Sequence, residues 1–224
     1  MVLGIAACAL LATSCSSSSG GGSTSADLPD RLSAARSTLD DAASIDFQLS
    51  TDNLPSGTTG LVSAEGTGNH DPAFKGSVTV SAGASISADV VCVGGTVYAK
   101  IGFLPTYAPL DPASYGAPNP ADFFATDTGV SSLLTATKDP VAGEQSRDGD
   151  TVLSTIDGTL AGDVVQTLVP SADSGGSFDV EWRLTGDDTL RDATISGPFY
   201  PGADDVTYSI AVAASTDPVD ISAP

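Results

Sequence analysis

Phe178, Val180, Trp182 and Leu184 alternate with Asp179, Glu181 and Arg183, and this two-residue rhythm returns along most of the chain. Successive side chains of a strand point to opposite faces, so each such stretch has one dry face and one wet face. Ile45, Phe47 and Leu49 keep the rhythm in SIDFQLS, Val78 and Val80 in GSVTVSA, and Val206, Tyr208, Ile210 and Val212 in VTYSIAV. ISADVVCV at 86–93 is apolar on both faces, as a central strand is, and Gly94-Gly95 turns the chain back into TVYAKIG as a hairpin. With GLVSAEG, residues 151–157 and TLRDATISG, the reading reaches about nine strands. One-sided alternation on that scale predicts a large antiparallel sheet with one face covered.

Three helical stretches are available as the cover. In LPDRLSAARSTLDDAA at 28–43, Leu28, Leu32, Ala35, Leu39 and Ala42 form one apolar stripe at helical spacing. A short helix is predicted around 129–137, with Val130, Leu133 and Leu134 on one side, and another over AGDVVQTLV, ended by Pro170. Prolines at 105, 109, 112, 118 and 120 break regular structure between them. The fold class is α+β, with one domain over 27–224. Aromatics make up only 6% of the chain, so walls of Val, Ala, Ile and Leu facing few short helices are expected to leave space that protein does not fill.

The N-terminus gives an address. VLGIAACALLA fits the apolar core of a secretory signal, about 7–15 residues, and falls short of the roughly 20 that span a bilayer. Ala12, Thr13 and Ser14 are small, as a signal peptidase requires just before Cys15. The arrangement resembles a bacterial lipobox, although Leu11 stands one position earlier than the usual box places its leucine. Cys8, after Ile5-Ala6-Ala7, would leave too short an apolar run. No Lys or Arg precedes Arg31, so the true translation start is expected upstream of Met1. The expected organisation is a signal peptide over 1–14, an acylated Cys15 opening a Ser/Gly tether over 15–26 with a reach of roughly 18 Å, and the domain beyond. The protein is then held at the cell membrane, facing the periplasm or cell envelope. Disorder is expected only for the tether and the last few residues.

Charge excludes several functions. With 28 acidic residues against 8 basic ones, net −20, the surface repels phosphate backbones, so nucleic acid is not a partner. It repels anionic headgroups too, which leaves attachment to the inner membrane to the acyl anchor. Cys92 is the one cysteine left inside the domain, so no internal disulfide is possible and the core must supply the stability. It reads as a small buried hydrophobe among Val90, Val91 and Val93. Asp127-Thr128-Gly129 is the triplet of aspartic proteases in a single copy, and Asp127 reads better as a helix N-cap. His70, the only histidine, sits in an Asn-His-Asp-Pro turn with no apolar setting, unlike the base of a triad. No metal or cofactor site has support, and nothing argues for catalysis.

ISADVVCVGGTVYA at 86–99, NPADFFATDTGVSSLLTA at 119–136 and RDGDTVLSTIDGTLAGDVVQTLVP at 147–170, following SCSSS, occur in an order that resembles the mycobacterial LppX/LprA/LprF/LprG lipoprotein family, its LprG members most. The resemblance covers nearly the whole mature chain and departs at the lipobox and at 101–118. It implies a U-shaped antiparallel β half-barrel with helices on the concave face, enclosing a hydrophobic cavity. It further implies a carrier of multiply acylated lipids or glycolipids toward the outer envelope, with a major-facilitator-class transporter as partner. Moving one sixteen-carbon chain into water costs about 12 kcal/mol, so a carrier must offer apolar surroundings. Val78 and Val80 on one strand, and Ile86, Ala88 and Val90 on the next, are expected to line that site. A surface or scaffold lipoprotein with a filled core is the alternative.

Overall fold

The computed structural model describes residues 27–102 and 105–224; the expected signal peptide, Cys15 and the tether lie outside the described residues. Eleven antiparallel strands form one open sheet: β1 (Ser44–Ser50), β2 (Gly60–Asn69), β3 (Ala73–Ser81), β4 (Ser85–Val93), β5 (Thr96–Ile101), β6 (Ala108–Pro109), β7 (Lys138–Asp148), β8 (Thr151–Ala161), β9 (Ser177–Leu184), β10 (Leu190–Gly197) and β11 (Val206–Ser215). Their spatial order is β6-β5-β4-β3-β2-β1-β11-β10-β9-β8-β7. The first six wind outward to one edge, and the last five start at the other edge and return to the middle, where β1 pairs with β11. The chain therefore crosses from edge to edge once, between β6 and β7. That crossing runs over the covered face, and it places the functional site.

The sheet curls into a U-shaped half-barrel without closing, with the helices on its concave side. α1 (Leu28–Asp40) buries Leu28, Leu32, Ala35 and Leu39, the stripe its sequence spacing predicts. The crossing consists of two 3₁₀ turns, Pro112–Tyr115 and Pro120–Phe124, followed by α2 (Val130–Ala136), which packs on α1. α3 (Gly162–Gln166) is shorter than the helix predicted over 161–169: β8 runs on to Ala161 and takes its first residue, and Thr167 and Leu168 form a turn. Trp182 is fully buried, and its indole N–H donates to Thr137 Oγ1 at 2.9 Å.

Two strands escape the rhythm. β7 reads KDPVAGEQSRD and is exposed almost throughout, an edge strand with no buried face to impose alternation. β6 is only two residues long. The C-terminus departs from expectation, because Ile221 is buried against Ala73 and Val91. This contact covers the outer side of β4 and accounts for a strand that is apolar on both faces.

Candidate functional site

Cross-strand register assembles one apolar wall. On the concave face Val78 of β3 stands opposite Ala88 of β4, and Ala88 opposite Ile101 of β5; Val80 stands opposite Ile86, and Val90 opposite Ala99. Facing them across a gap are Leu110, Pro112, Tyr115, Ala117, Pro118 and Pro120 from the crossing segment. The gap holds about 50 Å³ of free volume. All five residues expected at the site, Val78, Val80, Ile86, Ala88 and Val90, lie on this wall. The sequence reading missed β5's share, Val97, Ala99 and Ile101, although their period-two spacing in TVYAKI continues the Gly94-Gly95 hairpin. It also missed the proline-rich wall, which has no period to read. A second apolar gap of about 30 Å³, lined in part by Leu61, Phe123, Leu168 and Phe199, lies on the other side of Pro118.

The crossing segment bonds mainly to itself. Ala113 N–H donates to Asp111 Oδ1 at 3.0 Å, Ala117 N–H to the Pro112 carbonyl at 3.2 Å, and Ala121 N–H to Asn119 Oδ1 at 3.1 Å. Near β6 it is tied to the sheet by Leu110 N–H donating to the Val97 carbonyl at 2.9 Å. At its far end the Phe124 and Thr126 carbonyls meet His70 Nδ1 at 2.7 Å and Arg36 Nη2 at 3.0 Å. Phe124 also stacks on Phe74, ring centroids 5.9 Å apart, and meets Phe47 edge-on at 5.7 Å.

The two catalytic suspects are apart from the gap and from each other's chemistry. His70 is half-buried, with both ring nitrogens against backbone carbonyls and Leu39, Ile45, Phe47, Phe123 and Phe124 around it, so the expected absence of an apolar setting is corrected. The reason is long-range: α1 and the crossing segment, distant in sequence, close over the β2–β3 turn. Asp127 is exposed, and the N-cap of α2 is Gly129, not Asp127. Gly129 is packed against the Ala125 and Phe123 carbonyls, where a Cβ would sit 2.3 and 2.6 Å away. Cys92 is buried at 1% exposure, and burial pushes its thiol up to about 12, against the opposing effect of the Ala121 N–H. Such a thiol is inert at neutral pH.

Two buried tyrosines satisfy each other and the backbone of β2. Tyr208 donates to the Leu61 carbonyl at 2.6 Å, Tyr200 OH lies 2.7 Å from Tyr208 OH, and Leu61 N–H donates to Tyr200 OH at 3.1 Å. The pair serves the backbone where β2 slips register between Leu61 and Ser63. Burial raises both phenols above their ordinary value.

An open antiparallel half-barrel with a helical filling and an apolar gap against its concave wall defines the class of fold. Residues 27–216 match the LppX_LprAFG lipoprotein family, and the chain belongs to it. The fold is similar to that of LprF from Mycobacterium bovis, with a TM-score of 0.73 at 17% identity over 91% of this chain and 99% of that one. It is also similar to the lipoprotein LppX of Mycobacterium tuberculosis, with a TM-score of 0.61 at 16% identity over 89% of this chain and 100% of the other. None of the curated proteins compared matches the sequence significantly.

Proposed function

We propose that the protein binds multiply acylated lipids or glycolipids between the β3–β5 wall and the crossing segment, and carries them across the periplasm toward the outer envelope without chemical change. The observation that carries this reading is the gap itself, walled by Val, Ala, Ile, Leu and Pro side chains with Tyr115 as its one residue bearing a polar tip. Buried apolar walls that leave a space attract apolar cargo. Family membership supports it, as does a wall segment whose hydrogen bonds are mainly local and survive outward movement. A major-facilitator-class transporter is a fitting partner for delivery.

One observation favours the scaffold reading. A free volume of about 50 Å³ is far below the roughly 300–1,000 Å³ of a small-molecule site, so the wall must open for an acyl chain. Native mass spectrometry of protein made in an actinobacterial host separates the two. The carrier reading expects adducts that organic extraction identifies as acylated lipid; bare protein under conditions that retain lipid on a known carrier would leave the scaffold.

Anchoring through Cys15 belongs to the same proposal. Among the described residues no helix is long and apolar enough to cross a membrane. Cys15→Ala is expected to move the protein from the membrane pellet to the soluble fraction while Cys8→Ala leaves it there. Retention of the Cys15→Ala protein in a carbonate-washed pellet would refute the lipobox.

A further inference from the structure

His70 presents a donor problem. Its Nδ1 lies 2.7 Å from the Phe124 carbonyl and its Nε2 lies 3.0 Å from the Leu39 carbonyl. Both partners are acceptors, and a neutral imidazole carries a single N–H. Only the imidazolium donates to both; in the neutral ring one nitrogen lone pair faces a carbonyl oxygen at hydrogen-bonding distance. The setting suits a cation. Leu39 is in the last turn of α1, where the helix dipole is negative. The ionisable groups on the elements around the ring are Asp30, Arg31, Arg36, Asp40 and Asp41 on and just after α1, Asp46 on β1, Glu65 on β2, Asp71 beside the histidine, Lys75 on β3, and Asp111, Asp122 and Asp127 on the crossing segment. α2, which helps complete the surround, carries no ionisable side chain, and β11 carries only Tyr208, whose hydroxyl donates to the Leu61 carbonyl. Arg36 is already committed to Asp40 Oδ2 at 3.1 Å, Thr135 Oγ1 at 2.8 Å and the Thr126 carbonyl.

The two carbonyls belong to different parts of the machine. Leu39 is on α1, fixed to the sheet, whereas Phe124 ends the segment whose Pro112, Tyr115, Pro118 and Pro120 wall the gap. We propose that His70 is a proton-operated latch: as imidazolium it ties the crossing segment to α1 and holds the gap closed, and loss of the proton releases one tie. Resting on the lipid-carrier reading, this assigns closure to the protonated ring and opening to the neutral one. The half-buried ring can exchange its proton with solvent.

The test uses the full chain, delipidated in detergent. His70 is the only histidine, so a ¹⁵N-histidine label reports it alone. Along a pH series both ring nitrogens should show N–H signals in the folded protein at the acid end, and only one at the alkaline end. Protection of the amides at 119–126, corrected for the intrinsic pH dependence of exchange, should fall roughly tenfold over that interval, as loss of a charge-assisted hydrogen bond implies. His70→Gln, with one N–H-bearing group and one acceptor, should sit at the lower protection at both ends. Protection that is flat in the wild type, or that falls equally in His70→Gln, overturns the latch. Release of a bound fluorescent diacyl lipid should be faster at the alkaline end of the series in the wild type alone, and equal rates at both ends overturn control of the gap. Absence of any bound lipid would sink the carrier reading instead, while the exchange data still decide the latch.

Discussion

Val78→Trp is expected to abolish lipid recovery while lowering the melting temperature by less than about 4 °C, the equivalent of about 1 kcal/mol in a domain this size. Val78 is half-buried on the concave face of β3, opposite Ala88, and it packs against the main core at the edge of the gap. An indole in its place exceeds the free volume of about 50 Å³, so the opposite wall must give way. That wall yields cheaply if it opens for cargo, because the hydrogen bonds within 111–118 are local and move with it. A rigid, filled core would instead be overpacked, at a typical cost of 1–3 kcal/mol or more. Thermal melting and organic extraction of the same preparation decide the matter. A loss of about 8 °C or more, or lipid recovered equally from both proteins, would favour the scaffold.

The covered wall was legible because burial on one side writes a period of two, and Val78, Val80, Ile86, Ala88 and Val90 carry that period without interruption. The facing wall was not. Pro112, Pro118 and Pro120 belong to 3₁₀ turns and their flanks, whose position over the sheet follows from topology: a chain that ends one meander at β6 and starts the next at β7 must cross somewhere. β7 escaped for a related reason, since an exposed edge strand with Pro140 and Gly143 has no dry face to betray it. His70 shows the deepest limit. Its neighbours in sequence are Asn69 and Asp71, which describe a turn correctly, whereas its hydrogen-bond partners are 31 and 54 residues away. Local chemistry names a residue's conformation; only tertiary register names its company. Nor does apolar composition measure a cavity, because small side chains can close a space as readily as line one.

Gly76→Ala is expected to cost about 3 kcal/mol or more, the upper range for overpacking, and to lower the melting temperature by roughly 6–12 °C. The reason lies in one row of facing residues across the concave side: Phe47, Gly66, Gly76, Val90 and Ala99 on β1 to β5. Two glycines side by side make a trough between a phenylalanine and a valine, and rings fill it. A Cβ on Gly76 would lie 2.0 Å from the Glu65 carbonyl oxygen, 2.7 Å from Gly66 Cα and 2.7 Å from the Phe74 ring. Two of those three neighbours are backbone, so relief requires β2 and β3 to part. Gly68 deepens the same trough, since a Cβ there would meet the Phe124 ring at 2.4 Å. Phe74 and Phe124 are the stacked pair that seats the end of the crossing segment, so damage to the trough should reach the gap as well as the fold. Ser77→Ala is the control: it is adjacent, on the opposite face, with a single exposed bond of 3.2 Å to Glu65, and should change stability by less than about 0.5 kcal/mol. Chemical unfolding of both variants checks this, and a Gly76→Ala protein as stable as the control would mean that the glycines are incidental and that other residues let the sheet curl around its helices.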